Sequence, residues 1–172
     1  MSSSIHRFHG GFMAEIQRRL LEESIPRAKK CLHQLNESEI WSRPNANSNA
    51  MGNLVLHLCG NARQWIVSAM GGKEDVRERN REFEEKGPIP KEQLIMMLDG
   101  LAEDIKSILL QISPEELTQI YQVQGFTESG IGILVHVVEH FSYHVGQMTY
   151  FVKAQKDLDM GYYAGMDLDV KG

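Results

Sequence analysis

Leu134-Val-His136-Val-Val-Glu-His140-Phe-Ser-Tyr-His144-Val-Gly-Gln147-Met-Thr-Tyr-Phe-Val152 is the stretch that decides the fold class. Apolar residues return at Leu134, Val137, Val138, Phe141, Val145, Met148 and Val152, the three-and-four spacing of an amphipathic helix. Three histidines four residues apart run along that helix, so adjacent members differ by about 40° in direction and can reach one point from one face. Around the apolar arc His144 falls about 70° from the centre, His140 about 110° and His136 about 150°. His140 and His144 therefore sit at the edge of the buried face, and His136 points furthest outward, to solvent or a supporting position.

Three more segments carry the helical period, and no long stretch alternates as a strand does, which makes the chain all-α. The first runs from about Phe8 to Leu35, with Phe8, Phe12, Ile16 and Leu20 leading its stripe and Pro26 expected to kink it. The second spans about Ala50 to Met70, after the polar turn-forming run Ser42 to Asn49 and before Gly71-Gly72. Its stripe is Met51, Leu54, Leu58, Ala62, Trp65 and Ala69. The third places Leu94, Leu98, Leu101, Ile105 and Ile112 on one face, with Pro90 near its first turn. The fourth is expected over Glu128 to Gln155, with Thr127 as its cap, after a weakly alternating segment from Thr118 to Phe126. Two long connections, 71–89 and 113–126, are each able to recross a helix, so sequence neighbours need not be antiparallel. Lys73 to Lys86 mixes five basic with six acidic residues and reads as a solvated connection, with Arg77, Arg79 and Arg81 as candidate anion contacts. The acidic tail from Asp157, rich in Gly and Tyr, is expected to be partly disordered or to pack late.

The whole of 1–172 is the size of one domain, and 42% hydrophobic content suffices for a core. A net charge of -5, with 18 Lys and Arg spread along the chain, gives no footprint for nucleic acid. No apolar run approaches the roughly 18 residues a bilayer span needs, and the first residues lack a signal peptide's apolar segment, so a cytoplasmic protein with no membrane partner is expected. Two cysteines without a Cys-x-x-Cys spacing exclude a disulfide scaffold and a thiolate-rich zinc site, and Cys59 reads as an inert core thiol.

On the second helix His57 falls about 110° from the arc centre and Asn61 about 70°, the same layout as His140 and His144. Two helices thus present equivalent flanks to one polar pocket. Each histidine alone reads as a satisfied core-edge imidazole; His57, His140 and His144 together read as ligands of one metal. Three imidazoles and no thiolate suit Zn or Ni, then Fe, Mn or Cu, better than Mg or Ca. A fourth position stays open for water or a thiol, either of which an ion acidifies into a nucleophile near neutral pH. Asn61, Gln147, Glu139 and His136 are candidates to orient ligand nitrogens or hold substrate. His6, His9 and His33 read as surface residues. Di-iron, metalloprotease, deaminase, nucleophile-elbow, P-loop and dinucleotide-binding patterns are all missing from the sequence.

Gly52-Asn-Leu-Val-Leu-His57-Leu-Cys-Gly-Asn61 together with Glu139-His140-Phe-Ser-Tyr-His144-Val-Gly-Gln147 resembles the DinB/YfiT-like superfamily of bacterial metal-binding proteins. The resemblance covers most of the chain and implies a four-helix bundle with long crossover connections. It implies His57, His140 and His144 as the metal ligands, with His136 not required. It also implies a frequent homodimer and a low-molecular-weight thiol S-transferase, using bacillithiol or a similar thiol and an electrophilic small molecule. A metal-dependent hydrolase, and a non-catalytic metal-binding or stress-response ligand-binding protein, stand as the alternatives. Val145 is apolar where relatives often carry a basic residue, so an anionic contact there is not carried over.

Overall fold

The computed structural model describes residues 2–171. Four long helices form the bundle: α1 (2–33), α3 (51–70), α5 (Lys91–Leu109) and α7 (Gly130–Lys156). Three short helices, α2 (Glu37–Ile40), α4 (Arg79–Glu84) and α6 (Pro114–Thr118), sit in the connections. Strands β1 (Ile120–Val123) and β2 (Phe126–Ser129) pair as an antiparallel hairpin just before α7. The all-α expectation holds, and the hairpin is a small addition to it.

Pro26 disturbs α1 by widening it. Residues Arg18–Ser24 are π-helical, and the Ile25 N–H reaches back five residues to the Leu20 carbonyl. Proline supplies no N–H and its ring crowds the carbonyl four residues earlier; a wider turn ahead of it relieves that crowding. The helix begins six residues before Phe8, and Phe8 itself is exposed, because the stripe is covered only from Phe12 onward.

The hairpin moves the start of α7. Gln124 and Gly125 both have positive φ, +52° and +82°, which closes a tight two-residue turn matched to the twist of paired strands. Thr127 consequently pairs with Gln122 and Glu128 with Tyr121. The cap is Ser129, whose Oγ accepts the Gly132 N–H at 3.0 Å, in place of the expected Thr127.

The core is built from Leu20, Leu32, Leu58, Leu98, Ile105 and Phe141, all fully buried. Helix α3 is enclosed more completely than a one-sided stripe predicts: Val55, Cys59, Ile66 and Val67 are buried along with Leu54, Leu58 and Trp65. Its second face is covered by α4, so the 73–86 connection is not simply solvated: Glu82 within it is buried. The start of the tail packs, with Met160 buried and the Tyr162 hydroxyl 2.8 Å from Thr149 Oγ1. Among the described residues no helix is long and apolar enough to cross a membrane.

Candidate metal centre

The histidines that α3 and α7 carry on facing flanks meet where the two helices pack. His57 Nε2 lies 3.0 Å from His140 Nε2, and His144 Nε2 lies 3.1 Å from the same atom. One ligand atom from each of the three falls within 4.8 Å of the others. His57 is buried, and His140 and His144 are half-buried.

The far nitrogen of each ring determines what the near one offers. His57 Nδ1 donates to Glu82 Oε2 at 2.9 Å, and His144 Nδ1 donates to Gln147 Oε1 at 2.9 Å. With those protons fixed on Nδ1, both Nε2 atoms present lone pairs to His140. His140 Nδ1 is buried without a partner among the described residues. A single proton on His140 Nε2 could serve only one neighbour, leaving the lone pair of the other unsatisfied. One cation at their common focus satisfies all three. Tetrahedral Zn–N bonds of about 2.0–2.1 Å would put such nitrogens roughly 3.3 Å apart, close to the two spacings that involve His140.

Electrostatics keep His140 and His144 in the ligand form. Burial, and after it the proximity of His144, His57 and His136, pushes the His140 imidazole down to about 3. Burial also lowers His144, against an opposing contribution from Gln147. Both rings are neutral at neutral pH.

The support behind His57 comes from α4 and its approach. Burial pushes the Glu82 carboxyl up, but hydrogen bonds from His57 and Arg77 outweigh it and hold it below the ordinary carboxylate range. Arg77 grips it twice, Nε to Oε1 at 2.7 Å and Nη2 to Oε2 at 2.9 Å, and its side chain is only 4% exposed. Arg77 Nη1 also donates to Gln64 Oε1. Fully buried Asn53 donates to the carbonyls of Glu82 and Glu85, latching α4 onto the start of α3. Gly60 makes the approach possible, since a Cβ there would lie 2.0 Å from Glu82 Oε1. Phe83 covers the His57 ring at a centroid distance of 4.7 Å.

The remaining candidates separate. Gln147 contacts His144. Asn61, a candidate to orient a ligand nitrogen or hold substrate, has its Nδ2 3.5 Å from His136 Nε2, and its buried Oδ1 has no partner among the described residues. His136 is half-buried and stacked on Trp65 at 3.7 Å, outside the convergence. Its outward angle on the wheel is met in part by Trp65. Glu139 and His33 are exposed, whereas His9 is half-buried and bonds the Ile112 carbonyl at 2.8 Å. Arg79 and Arg81 are exposed, Arg79 lying over Phe83 and Arg81 pairing with Glu78. Burial pushes the Cys59 thiol up to about 12, which makes it inert. Sequence reasoning missed Glu82, Arg77 as a partner of Glu82, Asn53 and Phe83; their only signal was an acid and an arginine in a mixed-charge run.

No curated protein matches the sequence. Several solved structures resemble it in fold, including the following three. A conserved protein from Enterococcus faecalis has 17% identity and a TM-score of 0.65, covering 81% of this chain and 94% of its own. The DinB-like protein YjoA from Bacillus subtilis has 17% identity and a TM-score of 0.67, covering 87% and 96%. A DinB-like protein from Bacillus cereus has 18% identity and a TM-score of 0.62, covering 88% and 94%. The family described as protein of unknown function (DUF1572) matches residues 11–163. That match takes in most of the chain, which therefore belongs to that family, a member of the DinB/YfiT-like superfamily.

Proposed function

We propose that this protein is a metal-dependent enzyme that transfers a low-molecular-weight thiol to an electrophilic small molecule, with His57, His140 and His144 holding one divalent transition ion. Zn or Ni suits three neutral imidazoles first, and Fe, Mn or Cu after them. The observation that carries the reading is the focus of three Nε2 atoms, two of them locked as lone pairs by Glu82 and Gln147. When bound, the ion would supply a positive charge that lowers the pKa of a thiol or water in the open position.

The protein's own residues do the positioning. Glu82 and Gln147 hold the tautomers of His57 and His144, so neither ring can turn its Nε2 away. Phe83 shields one side of His57 from water. In the transfer, the thiolate sulfur forms a bond to the electrophilic carbon. The bond from that carbon to the leaving group breaks, and the leaving group departs with the electron pair. The thiol proton passes to solvent. A homodimer is the assembly the superfamily resemblance implies.

Two measurements test the proposal. Purified protein grown in metal-replete medium should carry about one transition ion per chain, and His140→Ala should carry none; protein that neither contains nor takes up an ion would remove the site. Thiol consumption with chlorodinitrobenzene, which releases chloride as the S–C bond forms, should proceed in wild type and fall at least about a hundredfold in His144→Ala. Equal turnover in both would overturn the enzymatic reading, while a bound ion with no turnover for any thiol would favour a non-catalytic metal-binding protein.

A further inference from the structure

A groove of about 370 Å³ lies between the region of α1 around Pro26 and the middle of α7, with Tyr162 of the packed tail in its wall. Its size lies in the range of small-molecule sites, roughly 300–1,000 Å³. Helical spacing assembles it. Ser142, Gly146, Thr149 and Lys153 recur every three or four residues along one ridge of α7, and Ser24 and Arg27 stand three apart on α1.

The lining pairs positive charge with hydroxyls. Arg27 and Lys153 carry the charge, Tyr150 and Tyr162 add phenols to the serines and Thr149, and among the described residues no Asp or Glu lines the groove. These cations are not neutralised where they stand. Lys153 is exposed and makes no ion pair among the described residues. Arg27 lies over the Tyr162 ring at 5.0 Å, and the nearest Glu23 oxygen is 3.6 Å from its Nη2, too far for a hydrogen bond, while the other Glu23 oxygen is taken by Arg18. In the cavity behind His57 the cations have their counter-charges beside them: Arg63 and Lys73 share Asp104, and Arg77 grips Glu82.

Ser24 adds a buried donor. It is only 8% exposed, yet its hydroxyl makes no hydrogen bond among the described residues, not even to a carbonyl of its own helix. A buried hydroxyl without a partner is costly, and an oxygen held in the groove would supply one. Thr149 and Tyr162 bond each other at 2.8 Å, which leaves one hydroxyl hydrogen between them, with only the weakly accepting Cys31 sulfur to compete for it. Gly146 keeps the α7 side clear, since a Cβ there would meet nothing within 4 Å. Packing does not require a glycine at that position, although glycine is unfavourable inside a helix.

We infer that this groove binds the phosphate group of a small soluble phosphate monoester, with Arg27 and Lys153 facing its charge and the Ser24, Ser142 and Thr149 hydroxyls donating to its oxygens. A monoester carries close to two negative charges above its second pKa of about 6, and it offers three strong acceptor oxygens. Two cations and several O–H donors match that group better than they match a singly charged carboxylate. A lipid headgroup presents the same phosphate, but the chain carries a net charge of -5 and an anionic bilayer surface is itself negative, which favours the soluble source. The site needs neither the ion nor the S-transferase reading.

The test is calorimetric titration of the full chain, with its ion, at about pH 8, where the ester is a dianion. The probes are glycerol 3-phosphate, neutral glycerol, and phosphatidylcholine vesicles containing phosphatidic acid. Glycerol 3-phosphate should bind saturably with a Kd of about 1 mM or below, and neither glycerol nor the vesicles should bind. Lys153→Met should weaken binding by about tenfold or more, and Ser24→Ala by about threefold to tenfold. Ser24→Ala should do so without lowering Tm, because the hydroxyl it removes has no partner inside the protein. His140→Ala should bind glycerol 3-phosphate as wild type does. Loss of binding in that variant would put the phosphate on the ion and overturn the inference. No binding at about 10 mM ester, equal binding of glycerol, or unchanged affinity in both Lys153→Met and Ser24→Ala would also overturn it. Preference for the vesicles would overturn the soluble source, and a lowered Tm in Ser24→Ala would overturn the role of that hydroxyl.

Discussion

His57 and His144 present the same nitrogen to the same point but are held there by different kinds of structure. His144 leans on Gln147, an uncharged residue three positions along its own helix, exposed to water. His57 leans on Glu82, a buried carboxylate 25 residues away that is itself clamped by buried Arg77 and anchored through Asn53. One support forms as soon as α7 forms. The other exists only when the 71–90 connection has folded back across α3. A charged acceptor in a dry site holds the tautomer and orientation of its imidazole more firmly than a neutral amide in water does. His57 should therefore be the strongest ligand of the three, and its anchorage the most fragile.

The largest effect expected is loss of a ligand. His57→Ala and His140→Ala should each abolish ion binding by the chain at micromolar metal, measured by competition with a chromophoric chelator. Next comes the contrast between the supports. Glu82→Gln should weaken ion affinity by about 10–100-fold, the usual range for an outer-shell partner, and Gln147→Ala by less than tenfold. Glu82→Gln also strands Arg77 in a buried site, so it should lower unfolding stability by about 3 kcal/mol or more, whereas Gln147→Ala should change it by under about 0.5 kcal/mol. If the two substitutions weaken metal binding equally, the difference between the supports has no functional content.

That asymmetry also explains which parts of the centre were legible in the sequence. Histidines spaced by four on an amphipathic helix carry their own geometry, and the wheel placed His140 and His144 at the edge of the core without tertiary information. His57 was legible because α3 has the same kind of arc. Glu82 was not. It is one of six acids between Lys73 and Lys86, and nothing in a mixed-charge run says which acid is buried. The contact of Asn61 was not legible for a related reason: the wheel gives a direction from the helix axis, and only the fold shows that this direction meets His136. The hairpin was half legible, since weak alternation marked the extended segment but the positive φ of Gln124 does not show in its identity.

Protonation should separate the two regions less than substitution does. In the metal-free protein the His140 and His144 rings are held below their ordinary pKa, so below about pH 6.5 the unfolded chain binds protons that the folded chain refuses. Stability contributed by the neutral rings is complete above pH 6.5 and is lost progressively as pH falls toward about 3, where His140 titrates. Glu82, also lowered, acts in the same direction at more acid pH, its contribution lost as pH falls below the usual carboxylate value of 4.5. Denaturant melts of apo protein from pH 8 to pH 4 should show a monotonic decline, with the wild-type slope between pH 6.5 and 5 reduced in His140→Ala. A flat wild-type profile over that interval would contradict the burial of the ring.

The smallest effects come from two glycines, one in each region, and they should have opposite signs. Gly60 on α3 lies under Glu82, and an alanine Cβ there would overlap Oε1 at 2.0 Å and crowd Arg77 Nε at 3.1 Å. Those atoms are the ends of side chains, but they are pinned by the bonds to His57 and Arg77, so relief means moving the carboxylate away from His57. Gly60→Ala should then lower stability by about 1–3 kcal/mol and weaken ion binding in the same direction as Glu82→Gln. Gly146 on α7 has open space where its Cβ would be, and helical backbone that any residue adopts. Gly146→Ala should raise stability by up to about 1 kcal/mol, from helix propensity and reduced freedom of the unfolded chain, with ion affinity unchanged. Matched chemical denaturation of the two variants reads both signs at once. Destabilisation by Gly146→Ala would mean that something in solution already occupies the space beside α7, most simply a second copy of the chain.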